Sequence, residues 1–277
     1  MSTSAGASAP DMQPDWAFYQ PAEHVDVRGV DVAYRRKGSG DPVLYLHGIG
    51  MTRRWLPLYE ELSRGCDLIV PEHPGFGETS PSEWIYSFED LVLHYAELCD
   101  ALDLETFHLV GHSFGGWIAA EFGAFYPERL RSLTLITPMG LRVEGQAPID
   151  IFRLPADKLA AAVFNDRADE FADYADDGKD AVFQRYAELT AAARVGWNPR
   201  YDFKLDRRLG RITCPAVVIA ADDDRVVPPA QAERYAELLP NGRLVNVSRS
   251  GNHPSGHGLV AQESGKIAHE ILETIRL

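Results

Sequence analysis

The sequence predicts an α/β fold, a mostly parallel sheet with helices on both faces, and two features carry that prediction. Apolar runs of strand length recur at 43–46, 67–70, 107–110, 133–136, 216–220 and 244–247, continuous rather than alternating, as in strands buried on both faces. Segments with helical apolar spacing separate several of them, at 88–102, 117–125 and about 230–239, with a last one from about Ser264. Repeated strand-helix units build parallel sheets, which place their chemistry at the carboxyl ends of the strands. With 277 residues, 45% hydrophobic and 25% charged, the chain can bury an enzyme-sized core.

Taken in order, residues 1–22 are rich in Ser, Ala, Pro and Gln without periodicity and are expected to form a loose arm. The alternating stretch 25–36 predicts a β-hairpin turning at Arg28-Gly29. GSGD at 38–41 then breaks the chain before the first buried strand. Between Pro138 and about Leu205 the strand pattern gives way to amphipathic helices, so 139–205 is expected as a helical cap inserted into a core of 23–138 and 206–277. Inside it, 166–180 carries seven acids against Arg167 and Lys179, the composition of a solvated face.

Lys+Arg number 27 against 41 Asp+Glu, a net charge of −14 with no basic stripe, which argues against nucleic acid as a partner. Cys66, Cys99 and Cys214 are too scattered for a disulfide framework or a zinc site. No stretch reaches the ~18 apolar residues of a membrane helix, and the start lacks a basic segment followed by an apolar run. A soluble cytoplasmic protein without cofactor, metal or membrane partner is therefore expected, its oligomeric state open.

The sharpest local signal is Gly111-His112-Ser113-Phe114-Gly115, a G-x-S-x-G between a predicted strand and a predicted helix. A serine on so tight a turn needs small residues two positions either side, and the turn lifts its hydroxyl to a helix N-terminus, where amide dipoles favour developing negative charge. His47-Gly48-Ile49-Gly50 follows a buried strand and reaches the same sheet edge. Acyl transfer needs two N–H donors for the oxyanion; Phe114 and Ile49 are assigned, with Gly50 the nearest competitor.

HGIG, then PEHPGFGETS (71–80), then GHSFGG, then DDDRVVP resemble the α/β-hydrolase superfamily over nearly the whole expected ordered chain. That resemblance implies an eight-stranded sheet, a helical cap after the sixth strand and a triad running Ser, acid, His along the chain. Ser113 stands where haloalkane dehalogenases and epoxide hydrolases carry Asp, which disfavours both activities. The family pattern D-x-x-[VI]-P falls on Asp224-Arg225-Val226-Val227-Pro228, making Asp224 the acid. For the base two positions stay open. Counting forward from the strand at 244–247 indicates His253, whereas counting back from the terminal helix indicates His257, the preferred of the two. His253 and His257 mimic a zinc pair, but Pro254 and Gly256 keep one helix from presenting both.

The chemistry explains the residue types: a neutral imidazole takes the hydroxyl proton during attack and returns it to the leaving group, while the carboxylate orients the ring. His47 and His112 are expected to make structural hydrogen bonds. Most cap aromatics, among Phe152, Phe164, Phe171, Phe183 and Trp197, have spacing suited to packing; Trp197, with Gly50 and His112, is the candidate substrate contact. With no conspicuous basic pocket, a small, largely apolar carboxylic ester is the expected substrate. A lactone, a perhydrolase reaction or C–C cleavage of a ring-fission dienoate on the same triad, and a non-catalytic receptor on a hydrolase frame, are the alternatives.

Overall fold

The hairpin begins as the sequence reading expects: Arg28 and Gly29 take positive φ of 50° and 85°, the turn that lets two strands fold back with native twist. It joins β1 (Glu23–Val27) to β2 (Val30–Gly38). The computed structural model describes residues 17–174, 178–249 and 253–277, and within them the sheet has eight strands in the order β1-β2-β4-β3-β5-β6-β7-β8. Here β3 is Pro42–Leu46, β4 Asp67–Pro71, β5 Phe107–His112, β6 Leu130–Ile136, β7 Ala216–Ala221 and β8 Gly242–Val247. The first two strands are antiparallel to their neighbours, and pairing from β4 onward is parallel.

Continuous apolar strands work here because each face meets its own helices. Leu44, Leu46, Ile69, Leu109, Leu135 and Val218 point to one face, with α2 (Phe88–Ala101), α3 (Phe114–Phe125) and α7 (Pro229–Leu238). Val43, Tyr45, Leu68, Val110, Val217 and Ile219 point to the other, against α1 (Pro57–Leu62), α8 (Leu259–Gln262) and α9 (Ser264–Ile275). Burying each such side chain is worth ~1.5–3 kcal/mol, so the sheet stabilises itself from both sides. At the start of α2 a capping box closes the helix end: Ser87 Oγ accepts from Asp90 N–H at 3.1 Å and the Asp90 carboxylate accepts from Ser87 N–H at 3.0 Å.

Between β6 and β7 the chain leaves the sheet for α4 (Ala156–Val163), a tight 3-10 segment (Ala168–Tyr174), α5 (Gly178–Gly196) and α6 (Leu205–Arg208). The two crossings pair at Gly140 and Tyr201, and Asp202 N–H donates to Gly140 O at 2.9 Å. The acidic stretch is a solvated face, but mostly on the 3-10 segment rather than on one α-helix: Asp166, Asp169, Glu170 and Asp173 are exposed. Asp176 and Asp177 lie outside the described residues.

Three differences from the sequence reading have physical reasons. Helix α3 starts at Phe114, three residues before its apolar spacing begins, because the tight turn at Ser113 carries Gly115 and Gly116 into its first turn. The short α1 and α8 have too few residues to show a period. Residues 1–16 of the expected arm lie outside the described residues, yet 17–22 are tied down: Trp55 N–H donates to Phe18 O at 2.7 Å and Arg54 to Ala17 O at 2.6 Å. Among the described residues no helix is long and apolar enough to cross a membrane.

Candidate active site

Ser113 occupies the turn between β5 and α3 with φ 55° and ψ −113°, a left-handed conformation that a non-glycine residue holds only when its surroundings enforce it. They do so here. Its N–H donates to Ile136 O at 2.9 Å, and its carbonyl accepts from Met139 N–H and Trp117 N–H, both at 3.2 Å. A Cβ on Gly115 would stand 2.1 Å from Leu46 O, and one on Gly111 2.5 Å from Gly115 O. The glycines of the motif are thus a packing requirement.

The loop after β3 lies beside it. A Cβ on Gly48 would stand 3.2 Å from Ser113 Cβ and 3.1 Å from His112 Nδ1. Among the described residues neither the Ile49 nor the Phe114 amide donates to another group, whereas Gly50 N–H donates to Glu188 Oε2 at 2.9 Å. Gly50, the competitor for the second oxyanion donor, therefore has its amide engaged. The motif at 71–80 supports this corner from behind: buried Glu72 pairs with buried Arg35 at 2.7 Å and accepts the Thr79 N–H at 3.2 Å.

The loops after β7 and β8 deliver the partners. His257 Nδ1 lies 2.8 Å from Asp224 Oδ2, and His257 Nε2 lies 2.8 Å from Ser113 Oγ. A carboxylate only accepts, so Nδ1 carries the proton and Nε2 is left to accept from the serine hydroxyl. Asp224 is fixed by its other oxygen, which accepts from Val226 N–H at 2.9 Å and Val227 N–H at 2.8 Å. All three side chains are buried. His253 does not join them; it is exposed, near Glu170, because the longer loop is taken up before His257 rather than after it. A hydroxyl so placed can lose its proton to a neutral ring while attacking a carbonyl carbon.

The neighbouring histidines are neutral scaffold. Burial pushes His112 down to about 3, reinforced by His257 alongside, and its Nε2 donates to His257 O at 3.3 Å. Burial likewise holds His47 at about 4, and its Nδ1 donates to Gly48 O at 2.7 Å. Tyr95 hydroxyl donates to His73 Nδ1, leaving His73 Nε2–H to donate to His47 O at 2.8 Å. The expected structural hydrogen bonds of His47 and His112 are present. Trp197 is 53% exposed, in the connection beyond the end of α5 at Gly196. Phe183 is exposed too, while Phe164 is buried and stacks on Phe171 with ring centroids 4.8 Å apart.

Three residues of the site had no sequence signal. Buried Ser255 ties the acid and base loops together: its Oγ donates to Val247 O at 2.6 Å and accepts from Asp222 N–H, and its carbonyl accepts from Asp223 N–H, both at 2.9 Å. Asn165, beyond α4, donates to Asp223 O and Oδ2 at 3.1 and 3.2 Å. Glu188 comes from α5. Each acts across dozens of residues, so no local pattern marks it. Beside Phe114 a cavity of about 30 Å³ is lined by His73, Phe76, Ile85, Leu91, Ala191 and Val195 among others. A larger one of about 470 Å³, between 141–148 and 198–201, includes no residue of the Ser-His-Asp set.

The comparisons with known proteins agree with this fold. Residues 41–150 match the family model described as alpha/beta hydrolase fold. The chain is 30% identical over 249 residues to RutD of Agrobacterium fabrum, a protein named for carbamate hydrolysis, covering 80% of this chain and 87% of the relative. It is 29% identical over 240 residues to 2-hydroxy-6-oxo-2,4-heptadienoate hydrolase of Pseudomonas putida, covering 81% and 87%. Among solved structures, the meta-cleavage product hydrolase of Pseudomonas fluorescens IP01 superposes with a TM-score of 0.77 at 22% identity, covering 92% of this chain and 98% of that one. The chain belongs to the α/β-hydrolase family. It is an enzyme of that family.

Proposed function

We propose that this enzyme is a serine hydrolase that cleaves carboxylic esters of small, largely apolar substrates through an acyl-enzyme. The observation that carries the reading is the continuous chain from Ser113 Oγ through His257 to Asp224, with 2.8 Å at each contact, on a turn at a helix N-terminus. In this mechanism Ser113 attacks the carbonyl, His257 takes its proton and returns it to the leaving alcohol, and Asp224 stabilises the imidazolium. The Ile49 and Phe114 amides receive the oxyanion, in keeping with their having no described acceptor. Water then attacks the acyl-enzyme, with His257 again as base.

Residues 139–205 serve as the cap over this site, in a protein that acts on small molecules in the cytoplasm. A second reading has specific support: a relative named as a heptadienoate hydrolase would suit C–C cleavage on the same three side chains. The test is covalent labelling by a fluorophosphonate together with hydrolysis of a panel of p-nitrophenyl esters, lactones and dienoates. Both labelling and turnover should be lost in Ser113→Ala. Full ester turnover by that variant would remove the esterase reading, and turnover of dienoates alone would favour the second.

A further inference from the structure

We propose that His73, hydrogen-bonded to Tyr95 of helix α2, is a positioning residue for the oxyanion site: together with the His47 ring it fixes the two peptide planes that aim the Ile49 amide. This rests on the reading of Ser113 as nucleophile with Ile49 and Phe114 as oxyanion donors, and it says how that site is held in shape.

A planar trans peptide points its N–H opposite to its C=O, so fixing one carbonyl oxygen aims the amide of the next residue. The Ile49 N–H shares its peptide with Gly48 O, and that oxygen accepts from His47 Nδ1 at 2.7 Å. His47 Nε2 has no partner among the described residues, so the tautomer with its proton on Nδ1 is the one that makes a bond. The preceding peptide is fixed as well, because His47 O accepts from His73 Nε2–H at 2.8 Å. Two imidazoles thus hold two consecutive carbonyls, beside a Gly48 whose Cβ would stand 3.2 Å from Ser113 Cβ.

The contacts on either side of His73 leave it one tautomer. His47 O can only accept and a neutral ring has one N–H, so His73 Nδ1 accepts from the Tyr95 hydroxyl. Burial, with His47 alongside, holds His73 well below its ordinary value, and burial keeps the Tyr95 hydroxyl protonated. The His73 ring lies 4.1 Å from that of His47, centroid to centroid, and packs edge-on against Phe76 at 5.0 Å and Phe114 at 5.5 Å. Phe114 supplies the other assigned amide, so one imidazole meets both halves of the site. His47, His73 and Tyr95 are all buried, where a lost bond leaves a polar atom unpaired.

The experiment compares His73→Leu, which loses the bond to His47 O, with His73→Gln, whose Nε2 can still donate there, and with Tyr95→Phe, which removes only the hydroxyl. On p-nitrophenyl butyrate His73→Leu should lower kcat about a hundredfold, the effect of losing an oxyanion donor, with KM within about threefold of wild type. His73→Gln should regain about tenfold of that loss, and Tyr95→Phe should cost about threefold. A merely structural role would not move the Ki ratio between a trifluoromethyl alkyl ketone and its methyl ketone counterpart. With the first, Ser113 Oγ bonds the carbonyl carbon, the π pair moves to the oxygen as an alkoxide and the serine proton passes to His257, so only this ligand draws fully on the oxyanion donors. That ratio should narrow about a hundredfold in His73→Leu. Amide order parameters from NMR relaxation read the loop without any chemistry: those of Gly48 and Ile49 should be ~0.85 in the wild type and fall toward ~0.6 in His73→Leu. An unchanged Ki ratio, or a loop equally rigid in the variant, overturns the proposal. Tyr95→Phe gives the same readouts on a smaller scale should His73→Leu fail to fold. If the wild type turns over no ester and forms no ketone adduct while the order parameters fall in the variant, the loop is positioned as proposed and the nucleophile reading fails. Turnover with the ratio and the order parameters both unchanged does the reverse.

Discussion

Asp224 does two jobs with its two oxygens, and substitutions can separate them. Oδ1 accepts from the Val226 and Val227 amides at 2.9 and 2.8 Å, while Oδ2 accepts from His257 Nδ1 at 2.8 Å. Asp224→Asn can keep an oxygen for the two amides but turns an NH2 toward His257. The ring must then move its proton to Nε2, which donates to Ser113 Oγ instead of accepting from it. On that basis kcat falls by ~10⁴, while the melting temperature stays near wild type. Asp224→Ala loses the same base and also leaves two buried amides unpaired, at ~2 kcal/mol each. The total of ~4 kcal/mol, at ~2–4 °C per kcal/mol for a chain of this size, lowers Tm by ~10 °C. Ester hydrolysis and thermal unfolding by circular dichroism measure the two effects separately. An Asn variant with more than about a tenth of wild-type kcat would mean that the tautomer argument is wrong. An Ala variant melting with the wild type would mean that the two amide bonds carry no weight.

The remaining predictions concern pH, the serine turn and the acid loop. Burial holds His47 and His94 at about 4, His112 at about 3 and His73 well below 6.5, so between there and 6.5 the unfolded chain binds more protons than the folded one. Their stabilisation is complete above pH 6.5 and declines below it by ~1.4 kcal/mol per pH unit per histidine. Burial raises Glu121 to about 7 and lifts Glu72 as well, so their contributions have the opposite sign, declining as pH rises from 4.5, and two carboxylates are outweighed by four imidazoles. Urea titrations should therefore show lower stability at pH 5 than at pH 7, and His94→Leu should flatten the slope by about one proton; a flat wild-type profile contradicts this. Gly115→Ala drives a Cβ to 2.1 Å from Leu46 O and 2.5 Å from His47 O, both backbone, and should cost ~3 kcal/mol or more together with activity. A Gly115→Ala protein with wild-type Tm and kcat would show that the turn tolerates a side chain. Asn165→Ala removes the contacts to Asp223 and should lower kcat about tenfold with little change in KM, through looser placement of the acid loop. Unchanged kcat would confine Asn165 to packing.

Much of the fold was legible because strands buried on both faces must be apolar throughout, and short runs such as 43–46 and 216–220 have no other economical use. The serine turn was legible because its steric demand is local: Gly111 and Gly115 sit two residues from Ser113, and their missing side chains leave room for Gly115 O and Leu46 O. The acid followed from the run at 224–228, whose two amides cap the carboxylate two and three residues earlier. What was not legible depends on loop length or on distant segments. Two anchors four residues apart left His253 and His257 both open, and the tie came from the Ser255 bonds to Val247 and Asp222, which hold the loop before His257.

By itself the sequence determined the sheet, the helices that cover it and the strained turn at Ser113, all of which depend on residues a few positions apart and on which faces are apolar. Tertiary structure alone decided which imidazole meets Ser113, that Gly50 has its amide occupied and that Glu188 is the group occupying it. Those outcomes join residues 33 to 144 positions apart, and contacts at that range follow from how the chain closes on itself rather than from any local spacing.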